Sequence, residues 1–181
     1  MDRIVRHAYS ADFRRYKMKL DLREIIEVPG AHLPFERELD AERLRMGSVE
    51  SFTAPVTAHG EVVNTAGVLT VYAEITAQMH CVCDRCGREF DMEHSVDVEV
   101  PVVQEDEGDA DGEAFSLEGD CLDIDDLLET AFILDMPTKF LCREDCKGVC
   151  PKCGKNLNDG ECDCRPERDP RFAVLEQLLD K

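Results

Sequence analysis

The cysteine-rich segment Cys142–Cys164 constrains the fold of this chain more than any other part of the sequence. It reads CREDCKGVCPKCGKNLNDGECDC and holds six of the chain's ten cysteines within 23 residues. Its CPKCG sequence, from Cys150 to Gly154, is typical of a zinc knuckle, in which proline stiffens the turn and glycine lets the backbone point amides at the sulfurs. Cys162 and Cys164 supply further thiolates at little cost in loop-closure entropy. The segment therefore predicts a tetrahedral zinc site.

The rest of the chain favours reduced cysteines over disulfides. The N-terminal sequence MDRIVRHAYSADFRRYKMK has no apolar segment of the kind found in a secretory signal, and no apolar run in the chain is long enough to cross a bilayer. We therefore expect a cytoplasmic protein, and thiols stay reduced in that compartment. Cysteines at these spacings are then expected to bind metal, with a disulfide framework as the weaker alternative.

Eight of the ten cysteines fall into four close pairs and are the candidate metal ligands. They are Cys83, Cys86, Cys142, Cys146, Cys150, Cys153, Cys162 and Cys164. The preferred pairing puts the first four on one zinc ion and the last four on a second. In the rival pairing, the two CxxCG knuckles, at 83–87 and 150–154, share one ion as in a zinc ribbon. The sequence leaves both pairings open, and with them a metal count of one or two.

The remaining cysteines and histidines suggest no catalytic site. Cys81 and Cys121 are expected to be small buried hydrophobic residues, although Cys81 could replace another ligand. A zinc ion with four thiolate ligands has no open position for water, so the metal is predicted to be structural and the protein not to be an enzyme. Iron also suits four thiolates, but no other feature of the sequence indicates electron transfer. An iron-binding or thiol redox protein remains the alternative.

The charge of the chain bears on its partners. Its 40 acidic and 21 basic residues give a net charge of −19. Such a surface repels nucleic-acid phosphates and attracts basic proteins, of which ribosomal proteins are the most abundant in a cytoplasm. Basic residues do gather near the knuckles, where they either contact RNA in a small patch or merely solvate the metal module. The residues of this patch are Arg85, Arg88, Arg143, Lys147, Lys152 and Lys155.

Apolar residues alternate in the middle of the chain, which predicts an antiparallel sheet. Val49–Val63 and Val68–Met79 are predicted to form a hairpin around the turn Asn64–Gly67. Phe90–Val103 is predicted to be the next strand, so that the first knuckle lies at the rim of the sheet. Leu33–Leu39 alternates weakly and is expected to be extended.

Helical spacing appears after residue 122. Ile124, Leu127, Leu128, Ala131 and Leu134 predict a helix that ends before Pro137 and packs on the sheet. The acidic stretch 104–119 is predicted to be a mobile loop, and 170–181 an amphipathic helix. We therefore predict an α+β fold with a mobile N-terminal extension (1–17), a core (18–137) and a C-terminal zinc-binding module (138–181).

Several of these segments together resemble a known family. MKLDLREIIEVPG, CDRCGREF, IDDLLETAFILDMP, CKGVCPKCGKNLN, CDC and DPRFAVLEQL occur in this order. The set resembles the YceD-like proteins, called large ribosomal RNA subunit accumulation proteins, over residues 18–181. Cys81 and residues 1–17 are not part of that pattern.

The resemblance implies a bacterial or plastid protein, in the cytoplasm or stroma, that supports accumulation or processing of large-subunit (23S) ribosomal RNA. No catalytic activity is implied. The leading hypothesis is a non-enzymatic ribosome-biogenesis factor with structural zinc that binds a basic large-subunit ribosomal protein or a processing factor. The alternative is direct binding of precursor ribosomal RNA through the basic patch.

Overall fold

A computed structural model describes residues 18–104 and 115–164. These residues form mostly β-structure with two helices. The elements are β1 (Lys19–Asp21), β2 (His32–Leu39), α1 (Ala41–Leu44), β3 (Val49–Phe52), β4 (Val56–Thr65), β5 (Val68–Val82), β6 (Glu89–Gln104), β7 (Phe115–Leu117), β8 (Cys121–Asp123) and α2 (Ile124–Asp135). The predicted extension 1–17, the middle of the predicted acidic loop and the predicted helix 170–181 lie outside the described residues.

β5 is the central strand of the main sheet. One of its edges pairs with β4 and then with β3, and the other edge pairs with β6 along nearly its whole length. β2 pairs with β4 and β7 with β6, while β1 and β8 form a separate two-stranded sheet. Because β5 and β6 are both long, the knuckle that joins them stands at the end of the sheet.

The predicted hairpin is confirmed as β4–β5. Its turn residues Ala66 and Gly67 both have positive φ, at 55° and 96°, as a two-residue hairpin turn requires. The side chain of Asn64 is fully buried and accepts a hydrogen bond from the Gly67 amide at 2.8 Å. It also donates to the carbonyl oxygens of Ile25 and Ile26, at 2.7 and 2.6 Å. This asparagine therefore fastens the 22–30 loop to the end of the hairpin.

Two details of the sheet differ from the prediction. The strand expected over Val49–Val63 is broken into β3 and β4, because Pro55 has no N–H to donate to the ladder. Within β3, the pairing with β5 also shifts register between Val49 and Ser51. The sheet is also not wholly antiparallel, since β7 pairs with β6 in parallel. Part of the predicted acidic loop is thus a strand, and its Leu117 is buried in the core.

α2 covers the inner face of the sheet and confirms the predicted helix. The Asp123 side chain caps it by accepting from the Asp126 amide at 3.0 Å. The predicted stripe is wrong at one position: Leu134 is 80% exposed, whereas Phe132 is fully buried. Phe132 packs against the ring of His94, with centroids 5.5 Å apart. Neither of the two described helices is long and apolar enough to span a membrane.

Arg37 and Asp125 form a buried ion pair that joins β2 to α2. The guanidinium donates twice to the carboxylate, at 2.9 and 2.8 Å. The two side chains are only 10% and 11% exposed. The backbone amide of Met18 donates to the same carboxylate at 2.8 Å. Loss of either partner would leave the other charge buried and unpaired.

Replacement of Arg37 by alanine is therefore expected to lower the free energy of unfolding by about 3–5 kcal/mol, measured by urea denaturation. Glu50→Ala is the control, because Glu50 lies 3.9 Å from Arg45 in a pair whose side chains are more than half exposed. We expect the control to lose less than about 1 kcal/mol. Equal losses in the two variants would contradict a special role for the buried pair.

Candidate metal centres

The first group of sulfurs lies at the end of the sheet, and we name it the rim quartet: Cys83, Cys86, Cys142 and Cys146. The first two come from the β5–β6 knuckle and the last two from the segment after α2. All four sulfurs lie within 4.8 Å of one another. The Cys83–Cys146 and Cys86–Cys142 sulfur pairs are each 3.7 Å apart. The quartet thus joins two segments that are about 60 residues apart in the sequence.

Backbone contacts beside the knuckle hold these segments together. The amide of Asp84 donates to the carbonyl of Phe140 at 2.8 Å, and the Phe140 amide donates to the Asp84 carboxylate at 2.6 Å. Ser48 also donates to that carboxylate. The ring of Phe140 is buried in the hydrophobic core. The rim quartet is therefore anchored directly to the core of the sheet.

The second group lies wholly within the cysteine-rich segment, and we name it the C-terminal quartet: Cys150, Cys153, Cys162 and Cys164. Its sulfurs also lie within 4.8 Å of one another. Cys150 is buried, while Cys153 is exposed. This quartet is more open to solvent than the rim quartet, two of whose cysteines are buried.

The two knuckles have the same backbone geometry. Gly87 and Gly154 adopt left-handed conformations, with φ of 68° and 71°. Each glycine amide donates to the carbonyl of the first cysteine of its knuckle. The amide of that cysteine donates in turn to the carbonyl of the residue after the glycine. All four distances are 2.9 Å. A residue with a Cβ would be strained at either glycine. The CxxCG spacing therefore encodes one turn that is used twice.

Electrostatics within the quartets favours a bound cation. The amides of Cys153 and Lys152 face the Cys150 sulfur and help to lower its pKa to about 6. Burial and the neighbouring sulfurs raise the pKa of Cys142 to about 12. The Cys153 sulfur, together with burial, raises the pKa of Cys164 to about 12. Some thiols are thus held in the protonated form by burial and by neighbouring sulfurs, and a divalent cation would let all four ionise.

The spacing of the sulfurs fits a tetrahedral zinc ion. Zinc–sulfur bonds of about 2.3 Å place tetrahedral sulfurs about 3.8 Å apart. The 3.7 Å separations in the rim quartet match that value. They are far longer than a disulfide bond. The donor set and the geometry therefore fit zinc.

The structure groups the eight sulfurs as in the preferred pairing and does not bring the two knuckles into one quartet. The reason is that the contacts between Asp84 and Phe140 hold the segment 142–146 against the first knuckle, so that Cys142 and Cys146 occupy the positions beside Cys83 and Cys86. Cys81 lies in the core, where burial raises the pKa of its thiol, and Cys121 is half-buried on β8. Neither belongs to a quartet.

Most of the predicted basic patch makes contacts within the protein. Arg85 donates to the carbonyl of Cys146 at 2.9 Å, and Arg88 pairs with Asp159 at 2.7 Å. Arg143 lies 3.4 Å from the Asp145 carboxylate, and Lys155 donates to the carbonyl of Glu161. Lys147 and Lys152 are exposed, as are the other four members. The six residues surround the quartets without forming a separate cluster of unengaged cations.

The sequence reasoning missed Asn158. Its side-chain amide donates to the Cys146 sulfur at 3.3 Å, although the residue lies in the loop between Cys153 and Cys162. In the sequence, the role of Asn158 could have been suspected only from its position shortly after the second knuckle. Its pairing with the other quartet depends on tertiary structure.

We expect the protein to bind two zinc ions per chain, as counted by metal analysis and native mass spectrometry. In the double variant C86S/C153S each quartet loses one ligand, so tight binding of both ions is expected to be lost under chelator competition. In the rival pairing both substitutions would remove ligands from the shared site, and any ion held by the other four cysteines would remain. C121S is the control and is expected to keep both ions.

Comparison with known proteins agrees with the resemblance drawn from the sequence. The family described as "Large ribosomal RNA subunit accumulation protein YceD" matches residues 71–179, more than half of the chain. A chloroplastic protein of Arabidopsis thaliana named "Large ribosomal RNA subunit accumulation protein YCED homolog 1" is 36% identical over 61 residues, which are 33% of this chain and 19% of that protein. Uncharacterized proteins of Mycobacterium tuberculosis and Mycobacterium bovis are 34% identical over 58 residues, 32% of this chain and 28% of theirs. The chain thus aligns with under a third of each relative, and no solved structure matches it. The family match shows that the chain belongs to the YceD family.

Proposed function

We propose that this member of the YceD family is a non-enzymatic cytoplasmic factor that supports accumulation or processing of 23S ribosomal RNA by binding a basic ribosomal protein or processing factor. The family name supports the link to large-subunit ribosomal RNA. The distribution of charge on the main sheet is the observation that supports a basic protein partner. Zinc in the two quartets has a structural role in this proposal.

The donor sets support structural zinc. Four thiolates fill every position of a tetrahedral ion and leave none for water or substrate. Within residues 18–104 and 115–164, the two quartets are the only groups of three or more metal-binding side chains that lie close enough to share an ion. The rim quartet would clip the segment after α2 to the sheet, and the C-terminal quartet would hold its own loop closed.

The face of the sheet opposite α2 carries two adjacent rows of side chains that cross four strands, and we name it the outer face. In each row the residues are direct cross-strand partners. The first row is Glu36, His59, Glu74 and Asp97, and the second is Pro34, Glu61, Tyr72 and Glu99. Five of these eight residues are acidic and none is lysine or arginine, so the face attracts cations.

This arrangement costs stability in the isolated protein. Glu74 and Asp97 lie directly opposite each other on β5 and β6, where like charges repel. Beside them, Tyr72 is 40% exposed and lines the same groove as both carboxylates. An aromatic ring flanked by carboxylates suits a guanidinium or ammonium group, which the ring attracts as well. An arginine- or lysine-rich partner would thus offset the repulsion.

Charge neutralisation on the outer face tests the proposed partner contact. We expect E74Q/D97N to capture about tenfold less large-subunit ribosomal protein from a lysate at low salt, a loss of about 1.4 kcal/mol. E24Q/E27Q removes the same charge from exposed positions in the 22–30 loop and should capture as much as the unaltered protein. Capture by the unaltered protein should also fall as salt rises.

Nuclease treatment separates the two candidate partners. Capture that survives RNase supports a protein contact. Capture that is lost on RNase treatment, and that falls with K147A/K152A but not with E74Q/D97N, would replace the proposal with direct RNA binding. If the protein captures no ribosomal components, both the protein-partner proposal and the RNA-binding alternative are contradicted.

Neutralising the same carboxylates should lower partner capture but raise the stability of the isolated protein. Because the repulsion between Glu74 and Asp97 disappears when either is neutralised, E74Q is expected to raise the free energy of unfolding by about 0.2–1 kcal/mol. Chemical denaturation at low and high salt measures this, and the gain should shrink at high salt. A destabilised E74Q variant would show that Glu74 supports the fold rather than a partner.

A further inference from the structure

The loop Asn156–Asp159 links the two quartets. It lies between Cys153 and Cys162 and therefore belongs, by sequence, to the C-terminal quartet. Its side chains and backbone nevertheless contact the rim quartet and its knuckle. We name it the bridging loop. Nothing in the proposed partner contact makes use of it.

Asn158 makes the most direct contact. Its Nδ2 donates to the Cys146 sulfur at 3.3 Å, and its Oδ1 accepts from the Lys147 amide at 2.8 Å. Its orientation is set by Asn156, whose Oδ1 accepts from both the amide and the Nδ2 of Asn158, at 2.9 and 2.8 Å. An N–H that donates to a ligand sulfur fixes the position of that sulfur, as the outer hydrogen-bond partners of metal ligands do.

Two further contacts reinforce the link. The Leu157 amide donates to the carbonyl of Gly148 at 2.9 Å, and Asp159 pairs with Arg88 of the first knuckle at 2.7 Å. Gly148 is itself held close to that knuckle, since a Cβ at this position would lie 3.0 Å from the carbonyl oxygen of Arg85. The bridging loop thus spans the space between the quartets.

The order of this loop depends on the C-terminal quartet. Cys153 and Cys162 enclose eight residues, and a metal ion held by both closes them into a ring. Without that ion, the loop must be ordered by a few partly exposed hydrogen bonds. Asn158 would then meet the Cys146 sulfur only part of the time.

We propose that the two metal sites are coupled through Asn158: metal in the C-terminal quartet orders the bridging loop, which completes the hydrogen bonding of the rim quartet and raises its affinity for metal. The inference rests on the proposed zinc binding and not on the ribosomal partner. By linkage, metal in the rim quartet strengthens the C-terminal quartet by the same factor. The chain therefore tends to gain or lose its two ions together.

The first test removes the donor. In N158A, with both sites loaded with Cd²⁺, the ¹¹³Cd resonance of the rim quartet should shift while that of the C-terminal quartet stays in place. Chelator competition should show a rim affinity about 10–100-fold lower, the usual effect of removing an outer hydrogen-bond partner. D159A is the control in the same loop. Its ion pair is about half exposed, so the loss should be within about twofold.

The second test measures the coupling from both sides. The rim affinity is compared between the unaltered chain and C153S/C162S, and the affinity of the C-terminal quartet between the unaltered chain and C86S/C142S. Each affinity should fall about 5–150-fold, by matching factors. The same two comparisons are then repeated with N158A present in every chain. Each affinity should then be nearly the same with and without the other quartet.

The outcomes separate the inference from the proposal on which it rests. A chain that binds no metal overturns both. A chain that binds two ions, but whose sites keep their affinities in every variant, overturns the coupling alone. A weaker rim site in N158A with no dependence on the C-terminal quartet would make Asn158 a local stabiliser and would also overturn the coupling.

Discussion

The rest of the structure depends on the close approach of four sulfurs at the end of the β5–β6 hairpin. Sulfurs 3.7 Å apart cannot all carry charge in a partly buried site unless a cation lies between them. In the rim quartet this constraint acts across the fold, because the knuckle belongs to the sheet and Cys142 and Cys146 to the segment after α2. A bound zinc ion would therefore connect the hydrophobic core to the cysteine-rich segment. The C-terminal quartet closes only its own segment.

The two faces of the sheet differ in burial and in charge. The inner face buries apolar residues under α2 and places Arg37, whose side chain is 10% exposed, against Asp125. The outer face carries rows of carboxylates, some of which oppose each other directly. A sheet selected only for stability would not place Glu74 opposite Asp97. Burial and charge together thus leave one face exposed and acidic, and this is the face on which we propose that a basic partner binds. The rim quartet lies at the end of the same sheet.

Local patterns predicted the regular elements well. The β4–β5 hairpin, β6 and α2 follow from alternating and helical spacing, because each has one buried face. The failures have tertiary causes. Leu134 satisfies the helical period but lies outside the buried side of α2, whereas Phe132 lies on that side and packs against the ring of His94. β7 escaped notice because three residues beside an acidic stretch show no period, and its order comes from pairing with β6.

The sequence by itself determined the kind of candidate site: cysteine spacing and the glycine of each CxxCG specify the candidate ligands and the turn, since both are local properties of a few residues. It did not choose between the two pairings. That choice depended on the tertiary structure, in which Phe140 docks into the core and carries Cys142 and Cys146 to the first knuckle. The acidic rows and the Asn158 contact likewise exist only after β-strand register and loop packing bring distant residues together. The turn and ligand spacing depend only on residues that are close in the sequence, whereas contacts between distant segments depend on how the whole chain packs.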